Sequence, residues 1–162
     1  MAAINWVGQT NQRLYQCRLM LEQVELADNH ALATALEDGA VLQLGAAYRC
    51  YLNELAGLVN VNGKVNDLSE LFAKAAFAIA DMQELQQLEA DIYGWLGQLQ
   101  QMLRDAQQLA AVSKPSSVEQ VEPSGNLIAS APAEQSRAEI LQGILGELQA
   151  LIECQRGNHK ES

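Results

Sequence analysis

Between residues 85 and 109 the apolar side chains of Leu85, Leu88, Ile92, Trp95, Leu99, Met102, Ala106 and Leu109 recur at alternating steps of three and four. On a strand these residues would scatter over both faces. On an α-helix they form one continuous seam that has to be covered. Such a seam suits a coiled coil or the core of a helical bundle. Other segments of the same chain carry matching faces, so bundle core is the expectation.

A first helix is predicted over residues 5–28. Val7, Leu14, Cys17, Leu21 and Val24 form its seam, widened by Tyr15, Leu19 and Leu26. At about 1.5 Å per residue, roughly 24 residues span about 36 Å. The polar run Asp28 to His30 separates it from a second helix over 32–59, which presents Val41, Leu44, Tyr48, Tyr51, Leu52, Leu55 and Val59. Gly39, Gly45 and the Ala46–Ala47 pair would let a neighbouring helix approach closely, as suits a central helix. Turn residues 60–67 end it.

Asp67 with Glu70 has the spacing of a capping box, in which two side chains satisfy the first free N–H groups of a helix. Leu68, Leu71, Phe72, Ala75 and Ile79 give that short third helix its face. Asp81 with Glu84 repeats the spacing and predicts a fourth helix, restarting after a kink and running unbroken to 111. Residues 113–136 hold all three prolines and six serines, and read as a linker. Within it "NLIAS", residues 126–130, is apolar enough for Leu127 and Ile128 to dock on the bundle. A third box, Ser136 with Glu139, opens a last helix with a face of Ile140, Leu141, Ile144, Leu145, Leu148, Leu151 and Ile152. Gly157 and Asn158 are expected to stop it. The fold class is therefore all-α: an elongated up-and-down bundle of about five helices. Residues 1–112 form the core, 113–136 the linker, and 137–162 a helix packing on the same bundle, one domain overall.

The net charge of −10 disfavours nucleic acid and anionic membrane surfaces as partners. Cys17, Cys50 and Cys154 are odd in number and far apart. They match neither a disulfide framework nor a zinc spacing, and read as reduced thiols in a cytoplasmic protein. The N-terminal stretch has neither the basic start nor the apolar run of a signal peptide. No segment has the roughly 18 to 20 apolar residues of a membrane span.

Polar residues in the first seam raise the question of a site. Helical spacing puts Asn11, Leu14 and Arg18 on one face, and antiparallel pairing brings Asn11 towards Tyr48, with Glu54 opposite the first turn. A candidate polar cluster is thus Asn11, Arg18, Tyr48 and Glu54. Its bland counterpart is that Asn11 fixes register while Arg18 lies along the seam edge. His30 and His159 lack metal-binding spacing, and a di-metal bundle would need Glu-x-x-His pairs that are absent. Trp6 and Trp95 read as packing residues. No phosphate loop or nucleophile elbow occurs, so neither a catalytic residue nor a cofactor is expected.

Several stretches carry a family resemblance: "TNQRLYQCRLMLE" (10–22), "NELAG" (53–57), "GWLGQL" (94–99), "NLIAS" and "LQALIECQR" (148–156). Together and in this order they resemble an uncharacterised family of short helical gammaproteobacterial proteins, a domain of unknown function. The resemblance implies a bacterial cytoplasmic protein in which Asn11, Leu14, Arg18 and Glu54 belong to a shared pattern, and it brings no activity. The long first helix followed by "ALEDGAVLQLGAAYRCYLNELAG" (35–57) is similar in rhythm to HEPN helical bundles. Their nuclease pattern needs a histidine four to six residues after an arginine, and none follows Arg49.

The expected function is a non-enzymatic interaction or accessory protein. Asp67, Glu70, Asp81, Glu84, Glu89 and Asp91 would offer an acidic face to a basic protein partner. The chain would be a monomer or, if its last helix swaps, a homodimer. The alternatives are a ligand-binding or enzymatic bundle with a pocket at Asn11, Tyr48 and Glu54, and an HEPN-like antitoxin or degenerate nuclease.

Overall fold

A computed structural model describes residues 4–111 and 135–160. Among these it contains six helices and no strand: α1 (Trp6–Leu26), α2 (His30–Leu58), α3 (Leu68–Lys74), α4 (Ala80–Ala90), α5 (Trp95–Ala111) and α6 (Arg137–Lys160). The fold is all-α. The expected linker, with "NLIAS", falls almost wholly outside the described residues.

α1 and α2 form a hairpin. The Ala27 N–H closes α1 on the Val24 carbonyl. Asn29 then caps α2, its Oδ1 accepting from the Leu32 N–H at 2.8 Å. Arg13 beside Gln43 and the Cys17 thiol on the Ala40 carbonyl fix an antiparallel register. The buried stripe of α1 is Thr10, Leu14, Cys17 and Leu21. It is narrower than the sequence pattern suggests, for Val7, Tyr15, Leu19 and Leu26 remain 46%, 52%, 40% and 70% exposed. Among the described residues α1 packs mainly on α2 and α6, which leaves the rest of its circumference more open. Thr10 takes a core position because its hydroxyl donates to the Trp6 carbonyl one turn back, at 2.9 Å.

α2 is the central helix. Its 29 residues span about 44 Å, and Val41, Leu44, Tyr48, Tyr51, Leu52 and Leu55 are all buried. At Gly45 an added Cβ would lie 2.7 Å from Leu103, so the missing side chain lets α5 lie close. Farther along, buried Asn53 acts as a substitute backbone. It exchanges two hydrogen bonds with Val65, at 2.9 and 3.0 Å, and so pins the connection between α2 and α3 onto α2. The boxes at Asp67–Glu70 and Ser136–Glu139 both form. In the first, Glu70 reaches back to the Asn66 N–H.

Three expectations are corrected. The predicted helix from 81 to 111 breaks into α4 and α5 at residues 91–94. There Asp91 Oδ1 accepts from the Tyr93 N–H, and the Asp91 carbonyl from the Gly94 N–H. Ile92, assigned to the seam, is 66% exposed, and its neighbour Tyr93 is 85% exposed. The break is possible because Gly97 packs directly on the turn: a Cβ there would fall 2.3 Å from the Asp91 carbonyl oxygen. Asp81 is not a cap either. Ile79 stands at the cap position of α4 and offers no side-chain hydrogen bond, and Asp81 lies buried inside the first turn. Finally, α6 runs through Gly157 and Asn158 to Lys160. Tertiary contacts made by Gln155, Arg156 and His159 outweigh the weak helix propensity of Gly and Asn there.

Gly97→Ala should therefore destabilise the protein by about 1–3 kcal/mol through overpacking at the α4–α5 turn. Gly143→Ala, where an added Cβ meets nothing within 4 Å, should instead stabilise by about 0.5–1 kcal/mol. Urea unfolding of the two variants measures both. Equal effects would show that the turn does not depend on that glycine.

Candidate functional site

The last turns of α6 converge with the end of α2, the start of α1 and the start of α4. Gln155 is only 1% exposed. A buried carboxamide is tolerated only when its donors and acceptor are satisfied. Its Oε1 accepts from the Tyr51 hydroxyl, and its Nε2 donates to Glu84 Oε1 at 2.8 Å and to the Asp81 carbonyl at 3.4 Å. Next to it Arg156 forks onto Glu54, with Nε–Oε1 at 3.0 Å and Nη2–Oε2 at 2.6 Å. Its third nitrogen, Nη1, donates to Asn11 Oδ1 at 3.0 Å. The bidentate geometry is the strong form of this pair. His159 Nε2 lies 2.8 Å from Asp81 Oδ2.

Beside this network opens a cleft of about 680 Å³, within the size range of small-molecule sites. Ile4, Trp6 and Val7 form one wall and Leu55 and Leu58 another; Arg156 and Lys160 lie along α6. Ile4, Val7 and Leu58 are each about half exposed, at 53%, 46% and 45%.

The structure joins two of the four predicted cluster residues by hydrogen bonds, and Arg18 lines a small cleft with Asn11 and Arg156. Asn11 and Glu54 meet through Arg156, a residue not singled out from the sequence. Tyr48 faces elsewhere and donates to Glu89 Oε2 at 2.6 Å. Arg18 is exposed, 4.0 Å from Glu22 and 5.3 Å from the Tyr15 ring centroid. The α1–α2 register explains the split, because it turns Asn11 towards α6 rather than α2. A signal for the missed residues did exist: Leu148, Ile152 and Gln155 follow at four and three, placing a carboxamide in the buried seam of α6.

The six acids of the expected acidic face are largely engaged within the fold. Asp67 caps α3, and Glu70 takes the Asn66 N–H and Lys74. Asp81 meets His159, Glu84 holds Gln155, Glu89 holds Tyr48, and Asp91 makes the α4–α5 turn. Asp81 is buried, while Asp67, Glu84 and Asp91 remain exposed.

Burial sets the chemistry of the remaining groups. It pushes the Cys17 thiol up to about 12 and raises Cys50 as well. Tyr48 and Tyr51 are also raised by burial, so both stay protonated donors at neutral pH. Among the described residues no three His, Cys, Asp or Glu side chains converge as metal ligands, and no helix is long and apolar enough to cross a membrane.

Glu89 provides a pH test of this packing. Desolvation raises its pKa; the Tyr48 hydrogen bond works against that, and the Asp67 charge adds to it. An acid whose folded pKa lies above its unfolded value binds more protons in the folded state. Its contribution to stability therefore falls as pH rises through the window just above the ordinary carboxylate range. Glu89→Gln keeps an acceptor for Tyr48 and removes the charge. The variant should be more stable than the parent at neutral pH, and the difference should vanish as pH drops below that window. Urea midpoints across pH measure it; a difference independent of pH would contradict the assignment.

No curated protein and no solved structure matches the chain, so the likeness to HEPN bundles stands on sequence rhythm alone. A family of unknown function, DUF6586, matches residues 1–162, and the chain belongs to that family.

Proposed function

We propose that this bundle is a non-enzymatic binding protein, and that the cleft at the end of α6 seats an apolar side chain presented by a protein partner. The observation that carries this reading is the cleft's combination of half-exposed Ile4, Val7 and Leu58 with an arginine already neutralised by Glu54. An occupant that covers the apolar wall gains about 25 cal/mol for each Å² removed from water. One that brings an anion to Arg156 must compete with a bidentate carboxylate. This moves the proposed contact from the acidic residues to the apolar cleft, and it removes the reason for strong salt dependence. Three free cysteines support a reducing, cytoplasmic setting.

The test compares affinity capture from the native cell extract by the parent protein and by Leu58→Glu, at low and high salt, with quantitative mass spectrometry. Leu58 is exposed at the last residue of α2, so this substitution should change stability by no more than about 0.5 kcal/mol. The expected outcome is a small set of proteins held by the parent at both salt concentrations and lost from the variant. Identical sets from both proteins, or loss in high salt, would count against the cleft. If the retained species is a second copy of this chain, the partner is the protein itself.

A further inference from the structure

We propose that a second cleft, between α2 and α5, binds a free α-amino acid, holding its ammonium at Glu89 and its carboxylate between Arg49 and Arg104. The cleft has a volume of about 500 Å³. Two helices supply its walls by regular spacing: Tyr48, Arg49 and Leu52 share a face of α2, and Gln100, Leu103 and Arg104 share a face of α5. Glu89, from α4, lies between them.

The hydrogen bonds leave specific valences open. Tyr48 and Gln100 both donate to Glu89 Oε2, at 2.6 and 3.4 Å. Among the described residues nothing donates to Oε1. The buried Tyr48 hydroxyl fixes that carboxylate in place, so its second oxygen is presented without reorganisation. Arg49 makes no ion pair or side-chain hydrogen bond among the described residues, and Arg104 donates only to Gln101 Oε1, at 2.8 Å. Arg156 in the first cleft is neutralised by Glu54, whereas these two guanidinium groups pair with no carboxylate among the described residues. A site with an open carboxylate oxygen and two open guanidinium groups is complementary to a molecule carrying both charges. A simple amine or a simple carboxylate would satisfy only half of it. Leu52 and Leu103 provide an apolar wall for the side chain.

The experiment is an amide NMR titration of the full chain with individual L-amino acids, beginning with L-leucine, and with isoamylamine and isocaproate as the matched single-charge analogues. Saturable shifts at the amides of Tyr48, Glu89 and Gln100 are expected with at least one amino acid, and affinity for each analogue should be about tenfold lower or worse. Glu89→Gln, which keeps the Tyr48 contact, and Arg49→Ala, at an exposed position, should each weaken binding by a similar factor with unchanged far-UV circular dichroism. A third variant, Arg104→Ala, checks the same carboxylate if either of these fails to fold. The proposal is overturned if no amino acid gives saturable shifts, if an analogue binds as tightly as the amino acid, or if the folded variants bind like the parent.

Discussion

A single buried carboxamide organises one end of this bundle. Gln155 lies in the apolar seam of α6, where an unsatisfied amide would cost about 1–3 kcal/mol. It avoids that cost only in one arrangement, with Tyr51 of α2 donating to its oxygen while its nitrogen reaches Glu84 and the Asp81 carbonyl of α4. Leucine at that position could slide or rotate against its neighbours. Glutamine cannot, because its partners sit on two other helices. The contact therefore sets the depth and rotation of α6 against the bundle.

The neighbouring contacts follow from that placement. With Gln155 fixed, Arg156 falls on Glu54 and Asn11, so α1 is tied in as well. His159 then reaches Asp81. These bonds hold α6 helical through Gly157 and Asn158, and the last turns of α6 become a wall of the apolar cleft. The same logic governs much of the chain's negative charge. Its net charge is −10, and several of its acids serve as caps or interhelical acceptors.

The helical segments were legible because the apolar spacing is strong: the α2 face was predicted residue by residue and is buried. Two of the three expected capping boxes form for the same reason, since their chemistry is local. What failed was decided by tertiary structure. The spacing from Leu85 to Leu109 passes through residues 91–94 without interruption, and only the close packing of Gly97 on Asp91 shows that the helix breaks there. Asp81 has the sequence of a cap, but it is drawn into the bundle beside His159. For the site, Asn11 and Glu54 were visible as polar residues near apolar faces. Their bridge was not, because Arg156 lies more than a hundred residues along the chain from Glu54. No local pattern could pair them before the register of α6 was known.

Amide hydrogen exchange along α6 tests the central claim most directly. If Gln155 and Arg156 fasten this helix, the amides of Gln155 to Lys160 should be protected to an extent approaching those of Tyr51 to Leu55 in α2. Exchange at the rate of a fraying helix end, with protection confined to the stretch from Leu141 to Ile152, would contradict the account: α6 would be held by its apolar face alone, and the cleft would have no fixed wall.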